Sequence, residues 1–464
     1  MALGKMQLIA IGVVAILATA AISFVIIKNN NDDEGTPLDV GVAEFRLDVY
    51  GNANEDLKID EADKQIIQDI IDGKKDIADY PLANANMDKV DKKANVDAGD
   101  LALVDKMIAG EPCTVYIICL DASGGEVELP IEFPVTNAVC WGSNMLTPFI
   151  NSGAVDHCAG YMAKKSSSYP VINDVLFSSD ATNIEVSRQM SKSGWQDFID
   201  LDSECTSAGK GIDAFFVDHS VTSLNNDPNY RVDLHNSGIP EIRLAVADPI
   251  GDINATLLMG FLTCETAGYD YAVASIDAYR EVVDIIEAIT NPVEKTYMCV
   301  TMSTYICQNN STFNSLPAYV GGVPYYTTDS TFKYRYEGTS SVQMMSSEAL
   351  SNYDDVNYIF CSNNIDIVDG GLSDQSIIAE WEDGADLYKT LDCYEGRVLV
   401  NAMLPGAVKL AYIASVLYPE QFSIDVLEDI LSPVIEKSIA INGCELEDLC
   451  VLITYQDYES ATAA

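Results

Sequence analysis

The chain has 464 residues, with 26 Lys and Arg against 71 Asp and Glu, for a formal net charge of -45. That length exceeds one ordinary core and suits two or three domains. So acidic a surface repels phosphate backbones and anionic lipid, which excludes nucleic acid and leaves cations, cationic partners or solubility as reasons for the charge.

The first predicted element is "LIAIGVVAILATAAISFVII", residues 8–27, which carries no charge. As a helix it spans about 30 Å, the thickness of a bilayer's hydrocarbon. Its small residues, "ATAAIS", lie inside the apolar run rather than after it, so an uncleaved single-pass anchor is expected, with secretion after signal cleavage as the alternative. Lys5 precedes the run and "NNNDDEG" follows Lys28, an order that places the bulk of the chain outside the cell. Residues 1–35 thus form the anchor or signal and an acidic linker.

Next, "GNANEDLKIDEADKQII" sets Asn52, Asn54, Asp56, Lys58, Asp60 and Asp63 at positions 1, 3, 5, 7, 9 and 12 of a loop, with apolar Ile59 at position 8. Oxygen ligands at that spacing suit a hard divalent cation, position 7 offering only its carbonyl. A second copy follows: Asn84, Asn86 and Asp88, then Val96, Asp97 and Asp100. Each copy leads into a helix that ends at a Gly, Gly73 or Gly110. The pair resembles a dockerin-like, EF-hand-like module of two calcium loop-helix units, and residues 36–112 are assigned to it. The resemblance implies structural calcium and, as a possibility for the module, a docking partner protein. Leu57 and Lys89 stand where such loops carry a turn-making Gly, and Asn replaces Asp at position 1, so strain is expected and charge is lost. "VDKKA" also interrupts the second loop. Weak calcium binding follows, of about 10⁻⁴ to 10⁻³ M, with the first loop the better site.

From Cys113 the pattern changes. "CTVYIICLDASGGEVELPIEFP" reads as a hairpin, and "NAVCW", "HCAGYMA", "IDAFFVDHS" and "GIPEIRLAVAD" read as apolar strands separated by helices. Strand and helix in alternation indicate a parallel sheet with helical faces. "AGYDYAVASIDAYREVVDIIEAI" keeps Tyr271, Ile276, Tyr279, Val283 and Ile286 on a helical period before "NP", and a new strand series runs through "KTYMCVTM", "VNYIFCSN" and "RVLVN". The expected fold is therefore α/β, with two Rossmann-like lobes, residues 113–266 and 293–464, joined by a long linker helix, 267–292, behind a small all-α module and a membrane helix.

The ordered series "LDASGGEVELP", "SGAVDHCAGY", "IDAFFVD", "NSGIPEIRLAVAD" and "YEGRVLVNAMLPGAVKLAYIASVLYPEQF" resembles the solute-binding proteins of iron-complex and cobalamin ABC importers. That resemblance covers residues 113 to about 436, and no single motif in it is diagnostic. It implies capture of an iron chelate (siderophore or haem) or a corrinoid for delivery to an ABC permease. Two sheets joined by one rigid helix should move only by small tilts on binding.

In open α/β sheets ligands sit beyond the strand carboxyl ends. The rule selects Trp141, Ser143, Asn144, Tyr161, Met162, Lys164, Lys165 and His219 from one lobe. From the other it selects Tyr305, Asn309, Ser362, Asn363, Asn401 and Met403. The adjacent Lys164 and Lys165 would suit an anionic chelate, and the Tyr-rich stretch 319–329 could form a lid or a surface turn. The three His, at 157, 219 and 235, form no zinc pair; there is no G-x-S-x-G elbow, and Gly209-Lys210 lacks the earlier Gly of a phosphate loop. No enzymatic activity is expected. Twelve Cys occur without a Cys-x-x-Cys pair, leaving disulfides and buried thiols both open. The competing reading is a calcium-dependent cell-surface scaffold or adhesion protein that docks a partner through the paired loops.

Overall fold

The computed structural model describes residues 45–90, 93–121, 124–162, 182–183, 192–219, 234, 236–246, 249–290, 295–301, 305–307, 312–324, 341–343, 356–363, 365 and 371–464. Among these no helix is long and apolar enough to cross a membrane, and the anchor expected over residues 8–27 lies outside them.

Both acidic loops lead into helices, as their spacing predicts. α1 (Glu61–Ile71) starts in a capping box of Asp60 and Asp63, and its counterpart α2 (Ala98–Ala109) starts in one of Asp97 and Asp100. Such reciprocal bonds satisfy main-chain donors that the first helical turn leaves bare. α2 closes on Gly110 at φ 65, a left-handed position where Gly is unstrained. The turn inside each loop is made differently from the sequence expectation. Glu55 (φ 56) and Met87 (φ 57), at position 4, take the left-handed conformation, while Leu57 and Lys89 do not. The residues inserted in the second loop pair as a small hairpin of β1 (Lys89–Val90) and β2 (Lys93–Ala94).

The first lobe begins with the expected hairpin, β3 (Cys113–Leu120) antiparallel to β4 (Glu126–Phe133). β5 (Ala138–Trp141), α3 (Ser143–Asn151), β6 (Cys158–Met162), β7 (Thr182–Asn183), α4 (Lys192–Ser207), β8 (Ala214–Asp218) and β9 (Glu241–Leu244) follow. The sheet runs β4-β3-β9-β8-β5-β6-β7, and the five strands from β9 to β7 are parallel. The expected hairpin gives the sheet its antiparallel edge, since a short turn cannot join parallel strands.

α5 (Pro249–Thr263) and the linker α6 (Ala267–Glu287) come next. The second lobe adds β10 (Thr296–Thr301), β11 (Tyr305–Cys307), α7 (Thr312–Tyr319), β12 (Val323–Pro324), β13 (Ser341–Gln343), β14 (Tyr358–Asn363), α8 (Asp374–Glu382), β15 (Arg397–Asn401), α9 (Gly406–Leu417), α10 (Ile424–Lys437), β16 (Leu452–Thr454) and α11 (Tyr455–Ala463). Its sheet runs β13-β11-β10-β14-β15-β16, with β12 also on β10. β12, β10, β14 and β15 are parallel; β11 and β16 run antiparallel to them, and β13 is antiparallel to β11.

The linker helix joins the lobes by packing against helices of both. α6 lies against α5 of the first lobe and against α9 and α10 of the second. One buried apolar cluster accordingly runs from Val49 and Val104 of the loop module through Ile117 and Leu257 to Val408 and Leu431. Three buried polar ties cross the same layer. Thr147 Oγ1 donates to the carbonyl of Met403. Asn151 Oδ1 accepts from Ser438 Oγ (2.8 Å) and from the Ala440 amide (3.0 Å). Asp252 Oδ2 accepts from Tyr271 Oη (2.7 Å) and from the Gly406 amide (3.2 Å). Burial raises the Asp252 carboxyl above the usual carboxylate range, while its two donors and nearby Lys409 act in the opposite direction.

Asp252→Ala strands two buried donors and is expected to lower the unfolding free energy by about 3 kcal/mol. Asp252→Asn, which keeps an acceptor, should cost less than half as much; urea denaturation of the two variants checks the difference.

Candidate functional site

Each sheet has one place where the chain reverses its direction of strand addition. In the first, β5 is followed outward by β6 and β7, and β8 then returns to the other side of β5. In the second, β12 and β14 flank β10 in the same manner. Crevices open beyond the strand carboxyl ends at such switch points. The first is bounded by Trp141 to Asn144 and by Asp218 with His219; the second by Thr301, Ser362 and Asn363.

At the first switch Asn144 Nδ2 donates to Asp218 Oδ2 (3.0 Å), tying the start of α3 to the end of β8. Thr147 lies one turn further along α3. Its hydroxyl bonds Met403 O, and the neighbouring Ala402 amide donates to Asn363 O (2.8 Å). A short hydrogen-bonded path therefore connects the two switch regions, so the strand ends of both lobes meet across the start of α3.

Several residues expected at the mouth of a pocket are buried instead. Trp141 stacks on Phe215 with centroids 6.1 Å apart, and Met162 packs in the same outer-face core, because β5 and β6 are central strands covered on both sides. Tyr161 is buried in the inter-lobe core, with its hydroxyl unpartnered. Asn401 braces the end of β15, donating to Ile365 O (3.0 Å) and accepting from the Met403 amide (3.4 Å). Met403 is buried and gives its carbonyl to Thr147. Asn144, His219, Ser362 and Asn363 remain half-buried at the strand ends, and Asn363 Nδ2 donates to Glu380 Oε2 (3.0 Å). Ser143 opens α3 and Tyr305 opens β11. Lys164, Lys165, Asn309 and His235 lie outside the described residues, as does the end of the 319–329 stretch.

Two participants were not singled out from the sequence, Asp218 and Arg243. Asp218 is the residue before His219 at the end of β8. Arg243 sits on β9, 2% exposed, on the same face as Glu241 two residues earlier, as strand alternation requires. Its Nη2 lies 2.5 Å from Glu241 Oε1, an ion pair whose angles fall short of a hydrogen bond, and its Nη1 is buried without an acceptor. A basic residue inside the apolar run "EIRLAV" was the available signal. His219 lies near this pair and against the β3–β4 turn, where a Cβ on Gly124 would come within 3.1 Å of His219 Nε2. Burial lowers the His219 pKa below its ordinary value and Arg243 adds to the effect, while Asp218 and Asp121 act the other way. Its Nδ1 is buried and unpartnered.

The acidic loops form a second candidate. In the first, Asp63 accepts from the amides of Asn54 (3.1 Å) and Asp60 (2.8 Å), Asp56 Oδ1 from the amide of Lys58 (2.9 Å), and Asp60 Oδ1 from that of Ala62 (2.8 Å). In the second, Asp100 repeats the first pair of bonds with Asn86 and Asp97. Burial pushes the Asp63 carboxyl up to about 6 and raises that of Asp100. Three side-chain oxygens in the loops, Asn52 Oδ1, Asn84 Oδ1 and Asp88 Oδ1, are buried with nothing to accept from. Among the described residues no group of three or more His, Cys, Asp or Glu converges as a metal cluster; the loop oxygens include Asn amides. Lys58 Nζ pairs with Asp60 Oδ2 (3.0 Å), leaving its carbonyl as the oxygen it could offer. Eleven of the twelve Cys, all but Cys307, are described as free thiols.

No family model matches the chain, and no curated protein matches it. Among solved structures, it is similar to the TroA-like periplasmic binding protein FepB from Veillonella parvula, at 13% identity and a TM-score of 0.47, over 73% of this chain and 99% of that one. Helicobacter pylori CeuE with Ni(II) bound is similar at 11% identity and a TM-score of 0.47, over 72% and 98%. The molybdate periplasmic binding protein MolA of a Haemophilus influenzae ABC transporter, bound to molybdate, is similar at 13% identity and a TM-score of 0.45, over 69% and 97%.

His219 predicts a pH dependence. With its folded pKa below that of the unfolded chain, about 6.5, the unfolded state binds more protons as pH falls through that value. The His219 contribution to stability should therefore be lost on acidification from about pH 7.5 to 5, against the opposite contributions of the raised Asp63, Asp100 and Asp252 carboxyls. His219→Gln should flatten that part of the slope, read from urea midpoints across the range.

Proposed function

We propose that the chain is an extracytoplasmic solute receptor of an ABC importer, tethered by residues 8–27, that binds an iron chelate or a corrinoid between its lobes and hands it to a permease. The observation that carries this reading is the path from Asn144 through Thr147, Met403 and Ala402 to Asn363, which brings the switch points of both sheets together. Two sheets meeting at their strand ends offer the enclosed, partly polar crevice that a small ligand needs. The ordered series of strand and helix sequences supports the same reading. The three buried ties and the packing of α6 on both lobes favour small tilts over wide hinge closure. Neutral His219, Asn144, Ser362 and Asn363 would contact the solute; the reading is one of binding without turnover.

In the same proposal the paired loops hold calcium. The donor set is oxygen alone, as a hard cation prefers, and the orphaned Asn52 and Asn84 oxygens lie at position 1 of each loop. Asn52, Asn54, Asp56, the Lys58 carbonyl, Asp60 and Asp63 would hold the first ion. The second loop is the weaker site, because the extra residues 90–94 separate its two groups of ligands.

Thermal unfolding with a ferric siderophore, haem or cyanocobalamin tests the receptor reading. One of the three should raise the melting temperature, by an amount corresponding to about 2.7 kcal/mol at 100 times its Kd, and should be recovered chemically unchanged. Asn144→Ala should shrink the rise. Failure of all three to shift the transition counts against the proposal.

A further inference from the structure

The first loop and the strand-like run before it form one hydrogen-bonded unit, and that unit is built into the first sheet. β9 pairs with β3 only at Leu120. Further along β3, residues 48–50 supply partners: the Tyr50 amide donates to Tyr116 O (2.9 Å), the Ile118 amide donates to Asp48 O (2.9 Å), and Val49 bridges Ile117. Leu47 and Val49 are 1% and 0% exposed, members of the core shared with both lobes. Arg46 fixes the start of the run, its amide donating to Asn254 Oδ1 of α5 (3.2 Å). Phe45 meets Tyr279 of the linker α6 edge-on at 5.2 Å.

The residue that closes this unit is Asn52. Its Nδ2 donates both to Leu47 O (2.8 Å) and to Asp56 O (2.8 Å), and the Leu47 amide donates to the same Asp56 carbonyl (2.8 Å). Turning the amide over would lose both Nδ2 bonds, so Oδ1 is held in a fully buried position with nothing to accept from. An unpaired acceptor there is costly. A cation beside Oδ1 relieves that cost while the nitrogen keeps its grip on Leu47. The second loop lacks this connection: Asn84 Nδ2 bonds only within its own loop, to Asp88 O (2.9 Å).

We propose that calcium in the first loop pins residues 47–50 into the first sheet through Asn52, so that the loop module and the first lobe open as one unit. The inference rests on the calcium reading of that loop and goes beyond it. The ion becomes a part of the receptor's own fold, in place of a switch for docking another protein. Opening of the β3 edge then requires release of the ion, and calcium slows that opening by mass action.

Hydrogen exchange of the full chain, with calcium chloride at ten times its calorimetric Kd and with excess chelator, tests this. The amides of Tyr50 and Ile118 should exchange about tenfold more slowly with calcium, by the same factor as those of Asn54 and Asp60 in the loop. Asp56→Asn should remove the difference between the two conditions at Ile118. Slowing confined to residues 52–63, with Tyr50 and Ile118 unaffected, overturns the pin and leaves the calcium reading standing. Calorimetry that detects no calcium uptake overturns both, so the two failures are distinct.

Discussion

Asp252 is the point at which the two lobes depend on one another. Its carboxylate takes a hydrogen bond from Tyr271 of the linker helix and one from the first amide of α9. It lies fully within the helical layer, where a carboxylate persists only with donors around it. Asn151 and Thr147 do the same from α3, reaching the end of α10 and the β15–α9 turn. These directional bonds fix the register of one helical layer on the other, which apolar packing alone would leave free to slide. The placement of both switch points on one side follows from that register. Close packing adds to it: a Cβ on Gly251 would run into Ala245 O, so the start of α5 sits against the end of β9 only because that position is Gly.

The general architecture was legible because it rests on periodicity. The hairpin at "DASGG", the strands "NAVCW" and "IDAFFVD", and the helical stripe of Tyr271, Ile276 and Tyr279 each declare themselves over a handful of residues. The site was legible only as a region. A strand's carboxyl end can be found from sequence, but whether its last side chain faces a crevice or the core depends on strand order. Trp141, Tyr161 and Met162 end strands that proved central, so their side chains are enclosed from both faces. Asn401 was selected as a strand-end residue and serves as a brace, since the carbonyl of Ile365 and the amide of Met403 converge on it. Arg243 was passed over because its pairing with Glu241 lies along one strand face and its closeness to His219 crosses two strands.

The acidic loops show the same division between local and non-local information. Their ligand spacing, helix starts and doubling are local and were read directly. The position of the left-handed residue was not, and lies at Glu55 and Met87 rather than at Leu57 and Lys89. Nor could spacing show that residues 48–50 complete the edge of a sheet whose strands begin more than sixty residues later. That attachment turns a module that resembles a separable docking arm into an integral wall of the first lobe.

The central claim is that the strand ends of two lobes, held together by buried ties, enclose a solute. Mass spectrometry of the native protein isolated from its own source tests it most directly. The account predicts a mass above that of the polypeptide and calcium, equal to one metal chelate or corrinoid and lost on denaturation. A bare polypeptide mass that acquires no such adduct from an extract of its natural surroundings would contradict it.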